Sequence, residues 1–322
     1  MISEYIFGRL SSGDIVMAYE LTAENGLRAT LLSYGATLQG LHFPDGFNCV
    51  LGFEDLQSYQ DQTHHIGALI GPIANRTAHG QLSIYNQTYQ MPQNDGPHNL
   101  HSGPNGFDRL NWKREPSTDP TILCLSCIYP DGHQGLPGPI TAKLRFEITE
   151  SGLSLDIRAT PARSAYINMT YHPYFNLSDE PVINTHKLTL NSASYREKSA
   201  KGLCKDKWLD ASGSDLDFTT PRPIGTARID HFNHSTPDKL WSPNTLRPIA
   251  IVSTNDRSLT LYSNQQGVQV YTGDDLPRPR SAIALEPHAP PNNLRHGDNS
   301  LILEPGAAYT NTILYHLTET GG

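Results

Sequence analysis

Apolar and polar residues alternate with a period of two along many short stretches of the chain. Leu153-Ser154-Leu155-Asp156-Ile157-Arg158 shows the pattern cleanly. A repeat of two marks a strand with one face in a core and the other toward water. Strand-like stretches also run from Ile15 to Leu21, Leu27 to Leu32, Thr121 to Ile128, Lys143 to Thr149, Leu153 to Ala159, Ile249 to Ser253, Leu259 to Tyr262 and Val268 to Thr272. Turn-forming triplets such as Pro44-Asp45-Gly46, Asn94-Asp95-Gly96 and Pro130-Asp131-Gly132 separate them. Helical periodicity is almost absent, and only Glu54 to Asp61 predicts a short helical turn. The pattern predicts an all-β fold, a large antiparallel sandwich or barrel. No composition shift marks a boundary, so residues 1–322 are expected to form a single domain. The stretch 194–245, rich in Ser, Asp, Lys and Pro, is expected to leave the sheets as excursions.

Composition narrows the function classes. The 26 glycines and 24 prolines are spread along the whole chain, which suits many strands and turns. The net charge of −8 comes without a basic run, which argues against nucleic acid as a partner. Residues 1–20 lack the basic and apolar segments of a signal peptide, and no apolar run is long enough to cross a bilayer. Cys124 and Cys127 have metal-ligand spacing, yet they sit in a predicted strand, where positions three apart face opposite sides. No second pair follows, so they read as packing residues. Cys49 and Cys204 complete an unpatterned set that fits a reducing cytoplasm, with no membrane association expected.

Candidate chemistry centres on histidine, of which there are 14. Imidazole is the side chain whose unperturbed pKa lies nearest neutrality. His172 is embedded in Ile167-Asn168-Met169-Thr170-Tyr171-His172-Pro173-Tyr174-Phe175-Asn176-Leu177. Aromatic rings there offer flat faces for sugar C–H surfaces, and amides offer paired hydrogen bonds to hydroxyls. The alternative is a core histidine held by a backbone carbonyl. Glu286 ends the apolar run Ala282-Ile283-Ala284-Leu285. Partial desolvation there would raise its pKa and make it a base near neutral pH; the alternative is a strand-end carboxylate facing water. Asn75-Arg76 closes a small-residue strand, and His101 precedes a glycine turn. His64 and His65 are adjacent, so on a strand they would face opposite sides and could not share a metal. No dinucleotide, P-loop, zinc-helix or nucleophile-elbow motif occurs. The residues therefore point to acid–base chemistry without cofactor or metal.

Nearly end to end, the chain resembles the aldose 1-epimerases, also called galactose mutarotases. Ser33-Tyr34-Gly35-Ala36-Thr37-Leu38 is similar to their early Gly-Ala-Thr strand. Gly71 to Gly80 resembles G-R-x-A-N-R-I-x-x-G, and Asn99 to Gly103 resembles N-x-L-H-G-G. Gly106-Phe107-Asp108 with Trp112, the turn Asp131 to Gly138, and Met169 to Leu177 follow in family order. Asp217-Phe218, Asp230-His231, Gln269 to Gly273, Leu285-Glu286-Pro287 and Leu303 to Gly306 complete the series.

The resemblance implies a large antiparallel β-supersandwich and an isomerase that opens and recloses the ring of a free monosaccharide. It implies His172 as general acid and Glu286 as general base. It also implies that Arg76, His101, Asp230 and Gln269, with Asn75 beside them, bind sugar hydroxyls, in a monomer or homodimer. The remaining alternatives are a non-catalytic sugar-binding or sensor protein, and another carbohydrate enzyme such as a hexose-phosphate epimerase or lyase. Pro72, Tyr171, Pro173, His288, Asn292 and Arg295 depart from the family pattern. These departures are expected near the pocket, and would then imply a preferred sugar other than plain galactose or glucose.

Overall fold

Alternation along the chain becomes alternation across sheets. The computed structural model describes residues 1–234 and 245–319, and its regular structure is nearly all β. Each strand anticipated from the alternation is present with its ends shifted by a few residues, for example Ile15–Thr22, Ile140–Thr149 and Gly152–Pro161. The anticipated helical turn is Leu56–Asp61, and the Asp55 side chain caps it by accepting from the Ser58 N–H at 2.8 Å. Of the expected excursion, 194–234 adds short strands: Leu209–Asp210 and Arg222–Pro223 at sheet edges, and Ser194–Arg196 next to an edge. Residues 235–244 of that stretch lie outside the described residues.

Three larger antiparallel sheets carry the architecture. A four-stranded meander covers Ile2–Arg9, Ile15–Thr22, Arg28–Leu32 and Leu38–His42. A nine-stranded sheet has Tyr309–Glu319 near its middle, between Gly152–Pro161 and Arg257–Ser263. A six-stranded sheet runs Tyr174–Phe175, Ile283–His288, Gly267–Tyr271, Asp230–His234, Ser194–Arg196, Leu209–Asp210. The nine- and six-stranded sheets share one core. Leu155, Ile157, Ile313 and Tyr315 from the first belong to the same buried cluster as Phe175, Val268, Val270, Ile283 and Leu285 from the second. The Phe175 and Tyr315 rings meet with centroids 5.2 Å apart.

Strand parity then decides which residues stay out of that core. Leu285 points in, so Ala284, Glu286 and His288 point to the other face. Val268 and Val270 point in, so Gln269 and Tyr271 share the face of Glu286. Tyr171 points in, with its ring 6.0 Å from Phe146 and its hydroxyl on the Ala36 carbonyl at 2.8 Å. His172 is thereby turned the other way.

A buried amide ties these segments to the nine-stranded sheet. Asn311 Nδ2 donates to the Met169 carbonyl at 3.0 Å and to the Pro287 carbonyl at 2.8 Å. The Tyr309 hydroxyl also reaches Met169 O at 2.8 Å, and Thr170 Oγ1 reaches Pro287 O at 2.9 Å. The strands before His172 and after Glu286 thus share one anchor. Replacing Asn311 by Ala removes the two buried hydrogen bonds it donates and the longer one it accepts from Ser263 Oγ at 3.4 Å, so urea unfolding should show a loss of about 1–3 kcal/mol. A loss below about 0.5 kcal/mol would count against this bracing.

Candidate active site

His172 sits between the short strands Thr170–Tyr171 and Tyr174–Phe175. Its backbone is pinned on both sides: its N–H donates to Ala68 O at 3.0 Å, and its carbonyl accepts from Gly67 N at 3.0 Å. The ring packs 4.8 Å from Tyr174. Glu286 is the fourth residue of Ile283–His288, a strand buried along its whole length. The expectation that Glu286 ends the strand is corrected here. Pro287 lacks an N–H, yet the ladder continues through Val268↔Pro287 to His288.

His172 Nε2 lies 3.3 Å from Glu286 Oε1, with only 6% and 4% of the two side chains exposed. Glu286 Oε2 and His172 Nδ1 are buried with no hydrogen-bond partner. Burial disfavours both charged forms. It pushes His172 down to about 3 and Glu286 up to about 8, with Lys198 opposing the rise at Glu286.

A cavity of about 170 Å³ opens on this pair. All seven residues anticipated from the sequence line it: Asn75, Arg76, His101, His172, Asp230, Gln269 and Glu286. They form a connected floor. Asn75 Nδ2 donates to Gln269 Oε1 at 3.0 Å, and Gln269 Nε2 donates to Asp230 Oδ1 at 3.0 Å. Arg76 Nε donates to Asp95 at 2.6 Å. Tyr174 and Tyr271, from the aromatic and Gln269 to Gly273 segments, also line the cavity, as do Lys198, His65, Arg228 and Asp275, for which the sequence gives no comparable signal. Lys198 comes from the excursion and donates to Asp230 Oδ1. His65 lies in a turn rather than a strand, so His64 and His65 both face the cavity. His65 Nδ1 is 2.9 Å from the buried Asp108 carboxylate.

Backbone strain concentrates in the same place. His65, Asn75, His101 and Ser102 hold φ of 54°, 65°, 53° and 69°. Such left-handed residues cost roughly 1–3 kcal/mol each and cluster where geometry is prescribed by function.

His101, His172 and Glu286 bring possible metal-ligand atoms within 4.8 Å of one another. The hydrogen bonding of His101 runs against a metal. Asn75 N–H donates to His101 Nδ1 at 3.1 Å. Burial holds His101 well below its ordinary range, so the ring is neutral and carries its proton on Nε2. It offers the cavity a donor in place of a free lone pair.

None of the family departures lines this cavity, although Tyr171 and Pro173 flank His172 in the chain and His288 lies two residues from Glu286 on the same strand. Tyr171 points into the inter-sheet core, and Pro72 and Pro173 are absent from the lining. His288 shares a strand face with Glu286 but does not line the cavity, its Nδ1 2.7 Å from Ala289 O and its ring 5.0 Å from Phe232. Asn292 and Arg295 line a separate cavity of about 290 Å³ beside Tyr166.

Residues 17–316 match the family model for aldose 1-epimerase. The chain belongs to the aldose 1-epimerase family. It is 27% identical to galactose mutarotase of Mus musculus, covering 97% of both chains. It is also 27% identical to aldose 1-epimerase of Escherichia coli (strain K12), over 92% of this chain and 94% of that one. A solved galactose 1-epimerase from Lactobacillus acidophilus NCFM superposes with a TM-score of 0.88 at 24% identity, covering 100% of this chain and 99% of that one. That likeness establishes the supersandwich fold. Among the described residues, no helix is long and apolar enough to cross a membrane.

The buried geometry carries its own check. Imidazole NMR between about pH 5 and 7 should show no protonation of His172 or His101. A titration of either ring centred near the ordinary value of 6.5 would contradict the burial described here.

Proposed function

We propose that this protein is an aldose 1-epimerase that interconverts the anomers of a free aldose, with Glu286 as general base and His172 as general acid. The observation that carries this reading is the 3.3 Å approach of His172 Nε2 to Glu286 Oε1 beside a cavity. The C1 hydroxyl and the ring oxygen of a pyranose are bonded to the same carbon. A base for one and an acid for the other must therefore sit side by side.

Glu286 takes the proton of the C1 hydroxyl while His172 protonates the ring oxygen, and the C1–O5 bond breaks. The aldehyde rotates about C1–C2 and recloses from the other face, with the two proton transfers reversed. Electrons and protons balance within sugar and protein, so no redox partner enters.

Proton count explains why the pair works when buried. In the free protein it holds one proton, which burial keeps on Glu286 so that both groups are neutral. A C1 hydroxyl donating to the carboxylate favours its ionised form. The proton then crosses to His172, which creates base and acid together. His101 Nε2, Asp230 and Arg76 are assigned to the remaining hydroxyls, with Gln269 and Asn75 holding Asp230 and Arg76 in place. The reading takes residues 1–322 as one domain, supported by a single buried cluster that runs from Tyr19 to Leu317.

Exchange NMR or polarimetry on freshly dissolved α-aldoses tests the assignment. Glu286→Gln and His172→Asn should each slow anomer exchange about 10²–10⁴-fold with the fold intact. An unchanged rate in Glu286→Gln would sink the mechanism.

The pH profile of kcat/KM should follow the shared proton. Activity falls as pH rises through about 8, where the pair loses its only proton and His172 has none to give. It falls at the acid end toward about 3, where a second proton leaves no base. A profile that climbs steadily above pH 8 would contradict this.

A further inference from the structure

Lys198 lines the cavity, yet the epimerase chemistry above does not use it. It stands just past the strand Ser194–Arg196, where the chain doubles back. Lys205 N–H donates to Glu197 O at 2.9 Å, and Ser199 N–H donates to Leu203 O at 2.8 Å. The tip of this turn is Gly202, at φ +79°. A Cβ there would lie 2.7 Å from Arg76 Nε, so the turn is packed down on another cavity residue. Lys198 is thereby held in place over the sugar site.

Its side chain is only 14% exposed. An ammonium carries three N–H donors and accepts nothing. Among the described residues its one hydrogen-bond partner is Asp230 Oδ1, which also accepts from Gln269 Nε2 at 3.0 Å. Among the described residues, two donors of Lys198 and the Oδ2 oxygen of Asp230 therefore have no protein partner, and both side chains line the cavity. A mostly desolvated cation with unused donors is costly unless a ligand completes its shell.

Neighbouring donors and an acceptor match two adjacent hydroxyls, one donating to the carboxylate and the next accepting from the ammonium. The charge balance favours a neutral ligand. Arg76 is committed to Asp95 at 2.6 Å, Arg228 to Asp275 at 2.6 and 3.2 Å, and Lys198 to Asp230. Each cation already has its carboxylate, so a carboxylated or phosphorylated sugar finds no unpaired positive charge here.

We propose that Lys198 is a specificity-determining residue whose ammonium donates to a ring hydroxyl of a neutral aldose, vicinal to the hydroxyl read by Asp230. The proposal rests on the epimerase reading and deepens it by assigning Lys198 a role in choosing among aldoses. It also separates Lys198 from a residue that only steadies Asp230. A steadying residue would matter equally for every sugar.

The experiment is exchange NMR with wild type and Lys198→Met on the best neutral aldohexose, its 2-, 3-, 4- and 6-deoxy forms and the matching uronic acid. Thermal melting confirms folding. If Lys198→Met does not fold, Lys198→Gln takes its place in the same panel. Lys198→Met is expected to lower kcat/KM on the parent sugar about 10- to 100-fold, the range of a hydrogen bond to a charged group. For one monodeoxy sugar the loss should shrink to within about 2-fold, because protein donor and sugar acceptor are then both gone. An equal loss on every deoxy sugar would overturn the proposal. So would a wild-type preference for the uronic acid that vanishes in Lys198→Met. Failure of the epimerase reading looks different: wild type then accelerates none of the sugars, and both readings fall together.

Discussion

Glu286 lies in the middle of a strand with every residue buried, 3.3 Å from an imidazole that is itself buried. The rest of the site depends on keeping those two groups dry and in contact. An isolated carboxylate in that position would be too costly to hold ionised. Sharing one proton lets both partners stay neutral until a hydroxyl donor arrives. The fold meets the positional half of this requirement with Asn311. Its amide grips the Met169 and Pro287 carbonyls, in the segments that carry His172 and Glu286.

The sandwich supplies a core and a site from the same strands. Inward residues such as Val268, Val270, Ile283, Leu285 and Phe175 fill the space between sheets. Their outward neighbours Gln269, Glu286 and Tyr174 line the cavity. Apolar burial on one face thus prepays the order of the other, and the polar groups need not contribute to stability. The strained turns at His65, Asn75, His101 and Ser102 are tolerated for the same reason.

Charge is added to this frame from outside the three large sheets, by the two-residue strand at Arg76 and by the segments at Lys198 and Arg228. Lys198, Arg76 and Arg228 each reach the cavity rim with a carboxylate of their own. The substitutions that set this chain apart from its family's pattern lie outside the lining: next to Phe232 at His288, in the core at Tyr171, or beside a second cavity at Asn292 and Arg295. Selectivity is therefore better sought in the cavity lining, Lys198 included, than in those positions.

Local pattern alone determined eight of the longer strands, their parity and the all-β class, because a period of two is a property of neighbours in sequence. The motif series went further and singled out seven residues that the fold gathers in one cavity. What it left open depends on sheet order and loop path. The pairing of Gln269 with Glu286 and the central position of Tyr309–Glu319 join segments far apart in the chain. Alternation says which way a side chain points, but not which strand lies beside it. For that reason Lys198 disappeared into a polar excursion. The histidine acid and glutamate base were legible as candidates; only the tertiary structure brought them within 3.3 Å and removed the water around them.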